Sequence, residues 1–176
     1  IRVGMDMVMD DLPKSVKKDA DGKDILADAM KLLLNQYPGL YDGETIKYEE
    51  LGTDSGIAFF ADTGALIYSE KEDVCGMMHQ VCQYPFIVVY RTASEKERQK
   101  LSVQKFLDNL GKWICREPVT VDGTETRLSA FPELSRGRVI KRIIRDNSYG
   151  TEPQENGVQD WLLPITVKYE YDWEKW

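Results

Sequence analysis

Chemistry-bearing residues are scarce in this sequence. Among 176 residues there is one histidine, His79, so any histidine-dependent mechanism rests on that ring. Three cysteines, an odd number, give no disulfide framework and favour synthesis in a reducing, intracellular place. No G-x-S-x-G nucleophile turn, no paired histidine ligands and no phosphate-cradling glycine loop occur. No apolar run approaches the roughly 20 residues that span a bilayer, so no membrane segment is expected. No signal-peptide pattern opens the chain, which begins at Ile1. Basic residues are outnumbered, 23 against 30 acidic, for a net charge of −7. Such a surface repels a phosphate backbone on average, and direct nucleic-acid binding would need a local basic patch.

What is present is the composition of an ordinary globular chain, 42% hydrophobic and 30% charged, of a length that suits one domain. Residues 1–22 are charged and irregular, with Pro13 and a lysine cluster (Lys14, Lys17, Lys18), and predict a mobile or weakly helical arm. Residues 23–176 then form a single α+β domain. Ile25 to Gln36 carries a broad apolar stripe and predicts a buried helix, stopped by Pro38 and Gly39. From Ile46 to Lys71, short apolar segments separated by Gly52, Asp54, Gly56 and "DTG" predict short antiparallel strands.

Tyr84 to Tyr90 is apolar almost without alternation, as in a central strand covered on both faces, with Pro85 near its start. Ser94 and Glu97 make an S-x-x-E capping box opening a second helix. Leu101, Phe106, Leu110 and Trp113, flanked by Val103, Leu107 and Ile114, recur in it at helical spacing through Cys115. After Pro118 comes a Gly/Thr loop. "RGRVIKRIIRDN" fits either a helical stripe or a strand, and its length and β-branched residues favour the strand. At the C-terminus Ile165, Val167, Tyr169, Tyr171 and Trp173 alternate with polar residues, one face buried and one solvated, with a free edge expected there. The fold predicted is a mixed, mainly antiparallel sheet with two principal helices packed on it.

Two constellations invite chemistry. Cys75, His79 and Cys82, with Cys115 as a fourth ligand, could hold zinc if the segment were helical. As an extended lead-in to the central strand it sends His79 and Cys82 to opposite faces, so no metal and no cofactor are expected. Cys115 or Cys82 with His79 could make a cysteine–histidine nucleophile pair, but most such pairs in arbitrary sequences are accidents. The concentrated basic feature is Arg138, Lys141, Arg142 and Arg145, a candidate surface for an acidic partner. On a regular strand Arg138 and Arg142 share a face with Ile140 and Ile144, while Lys141 and Arg145 lie opposite. A solvated strand face whose long stems cover apolar surface is the preferred explanation of the cluster, and no aromatic residues interleave to stack bases.

Over about three quarters of the chain the elements run as a helix ending "YPGL", the strand "IKYEELG", a hairpin, then "QYPFIVVYRTASEKERQKLSVQKFLDNLGKWI". At the level of pattern this order resembles the minor capsid or tail-terminator-type proteins of tailed bacteriophages and prophages of Gram-positive bacteria. Gln83, Tyr84, Pro85, Phe86, Arg91 and Trp113 match, as do "FPELSRGRVIKRIIR" and the closing strand "ITVKYEY". The resemblance implies a virion protein without an active site. It would be a homo-oligomeric ring, hexameric by resemblance, that caps the tail tube and meets head–tail connector proteins. Its place would be the host bacterial cytoplasm during assembly, then the tail or neck of the virion. A small enzyme using a Cys/His pair (an acyl transferase or thiol hydrolase) and an adaptor for an acidic partner are the alternatives.

Overall fold

The structure, a computed structural model, describes residues 17–93 and 97–175. Two strands organise it: β5 (Met77–Thr92) and β10 (Gln159–Glu174), 16 residues each. They pair antiparallel along their whole length, from Gln159 opposite Thr92 to Glu174 opposite Met77. Each outer flank of this ribbon carries two shorter strands laid end to end. On β5 these are β4 (Leu66–Glu72), which pairs with residues 78–83, and β3 (Gly56–Ala61), which pairs with 86–91. On β10 they are β8 (Arg138–Arg145), opposite residues 165–171, and β9 (Tyr149–Gly150), opposite 161–162. β1 (Lys17–Lys18) pairs antiparallel beside the start of β4, and β2 (Ile46–Tyr48) runs parallel to β3, completing an eight-stranded, mainly antiparallel sheet.

The gaps between flanking strands explain two prolines in central strands. Proline lacks the amide hydrogen a ladder needs and belongs at edges or irregularities. Pro85 sits where β5 has neither β4 nor β3 beside it, and its carbonyl accepts from the Asp62 amide at 3.1 Å. Pro164 sits between β8 and β9, and its carbonyl accepts from the Asp146 amide at 3.0 Å. In both cases the missing N–H points at a gap. Pro85 is therefore mid-strand, not near the strand's start as its sequence position promised.

α1 (Ala20–Leu34) and α2 (Glu97–Ile114) both pack on one face of the sheet. Asp19 caps α1, its carboxylate accepting from the Gly22 amide at 3.0 Å, and Leu26, Met30, Leu33 and Leu34 form the buried stripe. The helix ends at Leu34, and the Asn35 amide side chain then mimics a strand neighbour, bonding both the N–H and the C=O of Ile46. α2 buries Val103, Leu107, Leu110, Trp113 and Ile114. Tyr37 joins the helices, with its ring 5.7 Å from Phe106 and 5.4 Å from Trp113. Beneath them lie Cys82, Tyr84, Phe86 and Val88 of β5 and Leu163, Ile165, Val167 and Tyr169 of β10.

Several expectations change. Lys17 to Gly22 belong to the fold as β1, the α1 cap and the first turn of α1, so the expected arm boundary at residue 22 moves back. Residues 1–16 and Ser94, the cap expected from sequence, lie outside the described residues. β5 is covered by helices on one face only, with Pro85 and Ile87 half-buried on the other; apolar residues on both faces had hidden its alternation. β3 and β4 do not form a hairpin with each other. Residues 119–126 of the expected loop do form one, β6 (Val119–Val121) with β7 (Thr124–Thr126). β10 is central rather than an edge, flanked by β5 and β8. No described helix is long and apolar enough to cross a membrane.

Candidate interaction surface

β8 is an edge strand, and a single irregularity divides its basic cluster. Arg142 opposes Lys168 and Ile140 opposes Tyr169, leaving Lys141 as the extra residue of a β-bulge. Past the bulge the alternation changes phase. Arg138, Ile140, Ile143 and Arg145 face the helices, while Val139, Arg142 and Ile144 face outward. The regular grouping expected from sequence, Arg138 and Arg142 on one face with Ile140 and Ile144, is thereby broken.

Arg138 leaves the surface altogether, at 3% exposed. Its guanidinium grips Asp19 in a fork, Nε to Oδ2 at 2.9 Å and Nη2 to Oδ1 at 2.6 Å, and lies 3.8 Å from the centre of the Tyr171 ring. The Tyr169 hydroxyl donates to the same carboxylate at 2.7 Å. Burial pushes the Asp19 carboxyl up, but its bonds from Arg138, Tyr169 and Gly22 outweigh that and hold it below the usual carboxylate range.

Arg145 also turns inward. Its stem passes over α2 at Gly111, where an added Cβ would sit 2.5 Å from Arg145 Cδ, and its Nη2 reaches Glu117 at 3.4 Å. Lys141 is exposed and lies 4.0 Å from Glu170. Arg142 is exposed and has no ion-pair partner among the described residues. Of the four basic candidates, two are structural and two face solvent.

The outward side of β8 also carries apolar surface, Val139 being 53% exposed and Ile144 37%. Beside its first half opens a groove of about 500 Å³, walled by Phe131, Pro132 and Leu134 on one side and Val139 and Ile140 on the other. Among the described residues no strand pairs with the outer edge of β8. Periodicity could reveal neither the groove nor the open edge, because both depend on which strands end up adjacent.

The cysteines and histidine are dispersed. Cys75 is exposed in the β4–β5 turn, Cys82 is fully buried facing the helices, and Cys115 follows α2. Burial pushes the Cys82 and Cys115 thiols up to about 11, so neither is a thiolate near neutrality. His79 lies on the opposite, solvent-facing side of β5 from Cys82. Its Nδ1 is 2.8 Å from Asp172 and its Nε2 3.1 Å from Asp73, and these bonds raise its pKa, Asp73's most. Among the described residues no group of three or more histidine, cysteine or acidic side chains is arranged to hold a metal ion.

The chain matches no protein-family model, and no curated protein is significantly similar to it.

Proposed function

We propose that this chain is a ring-forming structural protein of a tailed phage or prophage, ending the tail tube as a terminator or joining tail to head as a minor capsid component. The observation that carries the reading is a centre of two fully paired long strands bordered by two unlike sheet edges, β8 and β9 on one side and β1 and β2 on the other. Neighbours in a cyclic assembly meet head to tail, so each subunit must present two different surfaces. The order of elements resembling tail-terminator-type proteins supports the same reading. Its partners are further copies of itself, a hexamer by that resemblance, with tail-tube and head–tail connector proteins. Assembly takes place in the host bacterial cytoplasm and the product stays in the virion, with no catalytic group, metal or cofactor involved.

Electron microscopy of particles from a strain lacking the gene tests this. Overlong or headless tails, restored to normal by complementation, are expected; normal, head-joined tails without the protein would defeat the reading. The exposure of Lys141 and Arg142 favours a second reading, an adaptor for an acidic partner, under which the chain stays monomeric in the presence of tail tubes.

A further inference from the structure

We infer that the outer edge of β8, together with the groove beside it, is a strand-addition site that takes an extended acidic segment, residues 1–12, of a second copy of this chain. An unpaired edge offers a row of backbone donors and acceptors to any extended peptide. Strand addition draws affinity from those main-chain bonds and specificity from pockets for alternate side chains. β8 supplies both. Its backbone groups pointing away from β10 have no strand partner among the described residues, and the groove opens along its first half.

The side chains along this edge set the chemistry of the occupant. Val139 and Ile144 are outward apolar contacts, and Arg142 lies between them as a cation without an ion-pair partner among the described residues. The bulge at Lys141 and the charge of Arg142 discourage indiscriminate pairing, as edge charges and bulges generally do. The same charge favours a strand that brings a carboxylate. The occupant is therefore apolar at alternate positions, to fill the groove, and acidic within two or three residues, to reach Arg142.

Residues 1–12, IRVGMDMVMDDL, have that composition: Ile1, Val3, Met5, Met7 and Met9 alternate, with Asp6, Asp10 and Asp11 among them. They precede β1, which belongs to the other side of the sheet order from β8. Assigning the strand to a second copy rests on the ring reading, in which the two sides of the sheet face different neighbours.

Hydrogen exchange of the full chain over a range of concentrations, with sedimentation velocity alongside, tests this. Amides of β8 should gain protection as the chain associates. R142E should weaken association by about tenfold or more, since it sets like charges together, without changing the circular dichroism of the fold. D6K/D10K combined with R142E should restore association. Fast exchange of the outer-edge amides of β8 at every concentration, or an R142E variant that associates normally, would overturn the site. Slow exchange of those amides at every concentration that is lost on deleting residues 1–12 would place the segment on its own chain and overturn the second-copy assignment. Rings that form while β8 exchange is unchanged would sink the site and spare the ring reading. Concentration-dependent protection of β8 alongside normal tails in a strain lacking the gene would do the reverse.

Discussion

Asp19 and Arg138, 119 residues apart, form a two-bond ion pair that is almost wholly buried, with side chains 6% and 2% exposed. The same carboxylate caps α1, so one side chain ties the helix start, β10 through Tyr169, and the edge strand β8.

Removing one partner leaves a buried charge unpaired. Asp19→Ala or Arg138→Ala should each cost about 3–5 kcal/mol in urea unfolding. Replacing both together, Asp19→Asn with Arg138→Met, should cost less than either single truncation. Because the Asp19 pKa is depressed in the folded chain, its contribution is present above the ordinary value of 3.8 and is lost as pH falls through the lowered one. Acid unfolding of the double variant should therefore be less steep than that of the parent.

His79 gives the opposite sign. A neutral imidazole can donate to one carboxylate only, so bonds to both Asp73 and Asp172 require the protonated ring. With its pKa raised on folding, the stabilising effect is full below the ordinary value of 6.5 and fades as pH rises through the raised value. An NMR titration of His79 should show the elevated pKa. Hydrogen-exchange protection near Asp172, after correction for the intrinsic pH dependence of exchange, should fall across that window, and His79→Ala should abolish this fall.

The prolines give a positional test. Pro164→Ala should change stability by less than about 1 kcal/mol, since its nitrogen faces a gap and a new amide hydrogen there meets no strand. Thr166→Pro, two residues along on the same face and opposite Ile144 of β8, should cost about 1–3 kcal/mol by leaving a ladder acceptor unmatched. Equilibrium denaturation of the two variants side by side measures the difference.

Thiol labelling should follow burial. Iodoacetamide on the native chain should modify the exposed Cys75 readily, while Cys82, fully buried with its thiol raised to about 11, should react only on unfolding. Mass spectrometry of partly labelled protein reads the order, and fast native labelling of Cys82 would contradict the strand packing.

The helices and the strict alternation of Ile165 to Trp173 were legible because each signal is local: a stripe at helical spacing, or period two. The strand nature of residues 138–145 followed from their length and β-branched residues, but the bulge at Lys141 did not, since it is defined against β10. That one insertion changed which basic residues reach solvent. The start of α1 was missed because Asp19 reads as one more charge in a charged arm until its partner Arg138 is known. The β6–β7 hairpin did have a signal, Asp122-Gly123 between two short β-prone segments, both with positive φ, which suits a two-residue hairpin turn.

The two breaks in the flanking strands have a mechanical consequence. The break between β4 and β3 falls at Tyr84 and Pro85, whose β10 partners Val167 and Thr166 are backed by unbroken β8. The break between β8 and β9 falls at Leu163 and Pro164, whose partners Val88 and Ile87 are backed by unbroken β3. The joints are staggered like those of a brick course, so no line across the sheet passes through both. A sheet assembled from short pieces thus has no weak crease, and bending forces on one rim are carried across to the other.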